Sequence, residues 1–151
     1  MKNSYRINIA APNIVNVCID RRHEGENMGR MYCCYSEYAL FFKNEMHLIK
    51  MMDGFMDTIG YPQSSVTMRS YHEVKHEKQY PRKLQEPEKF AGERGVLDTF
   101  LIQVQYRQRA TWQGRVYWVE GKKYWDFRSA LELLKLMDST QNFFIRGVLS
   151  M

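Results

Sequence analysis

The chain has 151 residues, 44% of them hydrophobic and 26% charged, with a formal net charge of +5. That length can bury a core in one compact unit, and the balance of apolar and charged residues excludes a disordered or fibrous chain. No apolar run in the sequence reaches the length a membrane-spanning helix needs, so no membrane role is expected, and the moderate positive charge favours an anionic partner without requiring one.

Residues 1–12 read as a lead-in closed by Pro12, with no apolar core and small-residue cleavage site of the kind a signal peptide carries. Ile14 to Asp20 is short and β-branched and predicts a first strand; the polar run Arg21 to Met28 predicts a loop. Gly29 to Tyr35 predicts a second strand, Ser36 and Glu37 a turn, and Tyr38 to Phe42 a third strand. Asn44 is a favoured helix cap. The apolar residues Leu48, Ile49, Met52, Phe55, Met56 and Ile59 follow the helical period up to Gly60, with Pro62 beyond.

Gln63 to Gly95 is rich in Lys, Glu, Gln and Pro and predicts a polar surface connector, with an extended stretch at Val66 to Tyr71. The earlier order then returns. Thr99 to Tyr106 predicts a strand, Arg107 to Gln113 a loop, Arg115 to Glu120 a strand, Gly121 and Lys122 a tight turn, and Tyr124 to Phe127 a return strand. Ser129 with Glu132 three residues later makes a capping box for a helix carrying Ala130, Leu133, Leu134 and Met137 on one face. That helix is expected to reach about Phe144 and to end at Gly147.

The recurrence is visible residue by residue. Gly29 to Asp53 aligns without a gap on Gly114 to Asp138 at a shift of 85 positions. Gly29/Gly114, Arg30/Arg115, Tyr32/Tyr117, Phe42/Phe127, Leu48/Leu133 and Asp53/Asp138 are among the identical pairs. The expected fold is α+β: a tandem duplication of a βββα unit, as one or two antiparallel sheets with two packed helices about a pseudo-two-fold axis. Residues 1–151 would form a single compact domain, with one repeat at 13–60, the connector at 61–95 and the second repeat at 98–147.

The candidate binding residues lie on the second strand of each repeat and in the loop before it. They are Arg21, Arg22, Arg30 and Tyr32 in the first repeat, and Arg107, Arg109, Trp112, Arg115 and Tyr117 in the second. Strand alternation puts Arg30 with Tyr32, and Arg115 with Tyr117, on one face. Guanidinium forks bind phosphates bidentately and aromatic faces stack on bases, so this pattern suits an anionic ligand. The bland reading of the same residues is internal ion pairing across a sheet.

Signatures of catalysis are weak. No Gly-rich phosphate loop, nucleophile elbow or zinc spacing is present, and His72 to Glu77 lacks metalloprotease spacing. Asp20, His23, Glu24 and Glu26 form a titratable cluster in the first repeat alone. Cys18, Cys33 and Cys34 are an odd and sparse set that fits reduced thiols, hence a cytoplasmic location. Neither a catalytic residue, a metal site nor a cofactor is expected. The resulting expectation is a non-catalytic binding protein whose duplicated Arg/aromatic faces hold a nucleotide, a signalling nucleotide or nucleic acid. The alternative is a protein–protein adaptor or inhibitor that uses the Met-rich helix, exposed aromatics and the apolar tail 148–151, which also suits docking in a homodimer.

Overall fold

The computed structural model describes residues 7–62, 83–108 and 111–149. Six strands run in the chain order β1 (Val15–His23), β2 (Glu26–Tyr32), β3 (Leu40–Phe42), β4 (Asp98–Gln108), β5 (Thr111–Trp118) and β6 (Lys123–Phe127). Helix α1 (Glu45–Ile59) follows β3, α2 (Pro87–Ala91) precedes β4, and α3 (Ala130–Leu149) follows β6. The strands make one continuous antiparallel sheet in the order β3-β2-β1-β4-β5-β6. The protein is thus α+β, with one sheet and a third, short helix beside the two expected.

Alternation along the strands divides the core between two faces. Val15, Val17 and Ile19 of β1, Phe100, Ile102 and Val104 of β4 and Val116 of β5 share one cluster with Leu48, Met52 and Met56 of α1 and Leu133 and Met137 of α3. The four-residue spacing of these helical side chains is what turns one stripe of each helix onto the sheet. Helix α1 lies on β2 and β3, and α3 on β5 and β6. On the opposite face a smaller cluster gathers Ile7, Ile14, Cys34, Phe90, Ala91 and Leu101. Cys33 and Cys34 fall in different clusters, as neighbours of alternating direction should.

The helix starts match the sequence reading closely. The amide of His47 donates to the Asn44 side chain at 2.7 Å and that of Glu132 to Ser129 Oγ at 3.0 Å, each satisfying a first-turn N–H that has no partner in the helix. Gly60, with φ +67, closes α1. Gly147 does not close α3, which continues to Leu149. A glycine inside a helix costs about 1 kcal/mol relative to Ala, too little to stop one by itself.

Strand replaces most of the two predicted loops, at 21–23 and 26–28 in the first and at 107–108 and 111–113 in the second. β1 runs to His23 and β2 begins at Glu26, so the connection is a two-residue turn at Glu24 and Gly25, both at positive φ. Polarity misleads here because Arg22 and Asn27 do not face water: Asn27 is 1% exposed and both are hydrogen-bonded within the protein. In the second case Trp112 is a core residue and Arg107 is 4% exposed. The expected strand 29–35 accordingly shifts to Glu26–Tyr32, and 115–120 to Thr111–Trp118.

Residues 83–97, which take in the last part of the predicted connector 61–95, cross the face opposite the long helices. Asn16 Nδ2 donates to the carbonyls of Phe90 and Glu93, and the amides of Leu84 and Gln85 donate to the Cys34 carbonyl. The Leu97 amide donates to Ile19 O at 2.8 Å. Phe90, fully buried, is the apolar anchor of this segment. The predicted stretch 66–71 and Arg109 lie outside the described residues.

Candidate functional site

Arg30 and Tyr32 share a face, as their spacing requires, and Arg30 Nη1 donates to the Tyr32 hydroxyl at 2.7 Å. The rest of the guanidinium is taken inside the protein. Nε and Nη2 donate to the two oxygens of Asp20 at 2.8 and 3.0 Å, and Nη2 also donates to the Arg94 carbonyl. Burial pushes the Asp20 carboxyl up, but the Arg30 bonds and charge with the Val96 amide outweigh it and hold it below its usual range. This is a bidentate, charge-assisted pair that ties β1, β2 and the crossing segment together.

The equivalent residues of the second half behave in kind. Arg115 Nε pairs with Asp126 of β6 at 3.0 Å, in a more exposed setting, and Tyr117 stacks on Tyr124 with ring centroids 4.3 Å apart. Arg22 and Arg107 lie on the helix-covered face instead. Arg22 donates to Asp98 at 2.5 Å, to Asn27 at 2.8 Å and to Thr140 of α3 at 3.2 Å. Arg107 donates to the Pro62 carbonyl at 2.8 Å and to Asp53 and Asp57 of α1 at 3.2 and 2.8 Å. Each arginine thus fastens the helix of the other half. Trp112 packs in the core, and Arg21 alone of the described candidates is exposed.

Asp20, His23, Glu24 and Glu26 do not form one centre. Asp20 is held by Arg30, whereas His23 and Glu24 stand at the exposed turn 3.7 Å apart. Among the described residues, no three His, Cys, Asp or Glu side chains come together as a metal site. Burial pushes the Cys18 thiol up to about 12, so it is a packed thiol and not a nucleophile.

The sequence patterns left two features unmarked. The first is a carboxylate pair on the helix face. Asn27 Nδ2 donates to Glu45 at 2.9 Å and to Asp138 at 3.1 Å, joining the start of α1 to α3. Burial, and then the neighbouring Asp138 charge, push the Glu45 carboxyl up to about 7.

The second is an open groove of about 510 Å³ at the β3 end of the sheet. Met28, Phe41 and Phe42 supply its apolar lining and Arg21 and Lys43 its cationic groups, with His47 beside them accepting the Lys43 amide at Nδ1. Its one carboxylate, Asp20, is already engaged by Arg30. Phe41 is 71% exposed, and Tyr38, Leu40 and Met46 nearby in the chain are exposed too. The signal was present in Leu40-Phe41-Phe42, where an apolar residue stands on each face of a strand. Only the strand order shows that this strand is at the sheet end, where two of the three stay uncovered.

In class this is an α+β protein whose six-stranded antiparallel sheet carries its two long helices on one face and the short α2 on the other. Compared with known proteins, the chain matches no family model, no curated protein and no solved structure. None of the helices among the described residues is long and apolar enough to cross a membrane.

Proposed function

We propose that this is a non-catalytic protein-binding module, an adaptor or inhibitor that grips a partner protein at the β3 end of its sheet. One observation carries the reading: Tyr38, Leu40, Phe41 and Met46 are all exposed within nine residues of chain, at a sheet edge and beside a groove. Scattered exposed apolar residues are ordinary, but a cluster beside a concavity marks an interaction surface. The arginines favoured from sequence supply rigidity instead, because Arg22, Arg30, Arg107 and Arg115 are all paired with carboxylates. The three buried, unpaired cysteines fit work in the reducing cytoplasm.

The architecture behind this surface is best read as a duplicated βββα unit about a pseudo-two-fold axis. The pairing of β1 with β4 supports it. Val15 faces Ile102 and Val17 faces Phe100, and the 85-residue shift exchanges these two pairs about Asn16 and Leu101. Register shifts also fall at matching places, between Ile19 and Arg21 and between Val104 and Tyr106.

The decisive experiment compares the wild type with a Phe41→Ala/Met46→Ala double variant in pull-downs from native-host extract, with nuclease present. Both side chains are exposed, so the variant should keep its stability to within about 0.5 kcal/mol. A stoichiometric protein recovered by the wild type and lost by the variant supports the reading. Equal recovery by both removes it.

Binding of an anionic ligand is a second reading, favoured by the cationic side chains of Arg21 and Lys43 at the groove. A nucleotide released from denatured protein, or nuclease-sensitive material whose binding falls steeply with salt, would establish it in place of a protein partner.

A further inference from the structure

Resting on the protein-binding reading, we infer that β3 accepts one extended segment of a partner protein as an added strand, with an apolar side chain in the groove and an acidic side chain facing Arg21 and Lys43.

The two ends of the sheet carry the argument. β3 ends the strand order on one side, with β2 as its strand neighbour, and β6 ends it on the other. A sheet edge offers main-chain N–H and C=O groups to any passing strand, and proteins that do not use an edge guard it with charge. β6 is guarded in this way: its exposed positions are Lys123 and Asp126. The exposed positions of β3 are Leu40 and Phe41. Among the described residues, one edge is charged and the other is apolar.

Leu40 stands opposite Met31 and Phe41 opposite Arg30, so the two present apolar surface on opposite faces of the sheet. A strand laid outside β3 would find an apolar neighbour on each face, which is how strand addition obtains affinity from the main chain and specificity from alternate side chains. The groove gives one of those side chains a seat against Met28, Phe41 and Phe42. Charge selects the segment. Arg21 and Lys43 are exposed at the rim, and the local carboxylate Asp20 is neutralised by Arg30, so acidic residues in the incoming strand are favoured and basic ones repelled. Three residues are a short template, so main-chain pairing alone would be weak and the groove and rim must contribute.

The test is to pan a phage-displayed library of random peptides on the full chain, synthesise the most enriched peptide, and measure its affinity and its effect on amide hydrogen exchange. The expected result is peptides with Asp or Glu beside an apolar residue, slowed exchange within Leu40–Phe42, and at least tenfold weaker binding to Lys43→Glu. Enriched peptides without acidic residues, or binding indifferent to Lys43→Glu, would overturn the inference. Weaker binding to Phe41→Ala/Met46→Ala with unchanged exchange at 40–42 would sink strand addition alone and leave the protein-binding surface standing. Protection of 40–42 that rises with protein concentration and without peptide would identify the occupant as a second copy of this chain. A library that yields no binding peptide counts against both readings.

Discussion

In the first half of the chain Arg30 takes its carboxylate from β1, where Asp20 sits at the register shift; in the second, Arg115 takes its carboxylate from β6. Aligned at the 85-residue shift, Gln105 stands where Asp20 is, and Asp126 stands where Phe41 is. The same arginine on the same strand is therefore satisfied from opposite sides. Moving the acid from the edge strand to the centre releases the edge position from pairing, and an aromatic side chain occupies it. Each arginine keeps its carboxylate, while among the described residues the β3 edge carries an exposed aromatic side chain where β6 carries the acid. Equivalent positions can thus share a framework role and still differ in what they offer to solvent.

The largest effect should be the one the halves share. A Cβ at Gly29 would lie 1.8 Å from the Cys18 carbonyl oxygen, and one at Gly114 2.0 Å from that of Gln103. Both obstacles are backbone atoms of the neighbouring strand, which cannot withdraw without opening the ladder. Gly29→Ala and Gly114→Ala should each cost about 3 kcal/mol or more, measured by urea unfolding. Tolerance at one site only would break the equivalence of the halves.

The next comparison should split them. Arg22→Ala leaves Asp98, with a side chain 1% exposed, as a buried carboxylate that keeps the neutral donors Trp118 Nε1 and Thr140 Oγ1 among the described residues. Arg107→Ala leaves Asp53 and Asp57, which are 52% and 62% exposed and can turn to water. The first should cost about 3 kcal/mol and the second about 1 kcal/mol, because the penalty follows the charge left behind. Equal losses would mean that burial of the surviving carboxylates does not control the cost.

A smaller and pH-dependent difference follows from Glu45. Its counterpart at the 85-residue shift is Ala130 and that of Asn27 is Trp112, so the arrangement in which Glu45 of α1 and Asp138 of α3 flank the Asn27 amide is not repeated there. Glu45 titrates near the usual 4.5 when unfolded and at about 7 when folded. Below 4.5 it is protonated in both states and the pairing is intact. As pH rises toward 7 the unfolded chain releases the proton that the folded chain keeps, so stability falls through this window. The loss should be on the order of 1 kcal/mol, discounted because the group is only partly buried. Thermal melts from pH 5 to 8 should show it, and Glu45→Gln should flatten the profile. Asp20 acts in a separate range. Its lowered value stabilises the fold above the usual 3.8 and is lost as pH falls below that, so the two carboxyls are distinguishable.

The sequence exposes the repeated order and both long helices because those depend on local chemistry: Asn44 and Ser129 cap, and Leu48, Met52, Leu133 and Met137 keep the helical period. The polar strand ends are hidden from such reasoning. Arg22 reads as a loop residue until Asp98 and Thr140, distant in sequence, are brought to it. For the same reason the candidate site is legible only in part. Arg30 and Tyr32 are correctly placed together, yet their partner Asp20 and the crossing Arg94 carbonyl decide what they do. Phe41 carries no motif. Its exposure follows from strand order, a long-range outcome of the pairing of β1 with β4.

The smallest change in stability should accompany the most direct test of the edges. Asp126→Phe gives β6 the residue that β3 has at the equivalent place and removes a carboxylate that is 77% exposed. Exposed pairs contribute little, so the unfolding free energy should move by about 0.5 kcal/mol or less. The consequence should appear in association instead. With its acidic guard gone, β6 exposes an aromatic residue on its edge, and sedimentation should show reversible self-association at concentrations where the wild type is unchanged. The reverse exchange, Phe41→Asp, places a carboxylate opposite Arg30 and makes the first edge like the second. It should keep the fold and abolish partner recovery. If Asp126→Phe leaves the association state unaltered, charge is not what distinguishes the two ends of the sheet. The specialisation of the first half would then rest on the groove beside β3 and not on the strand itself.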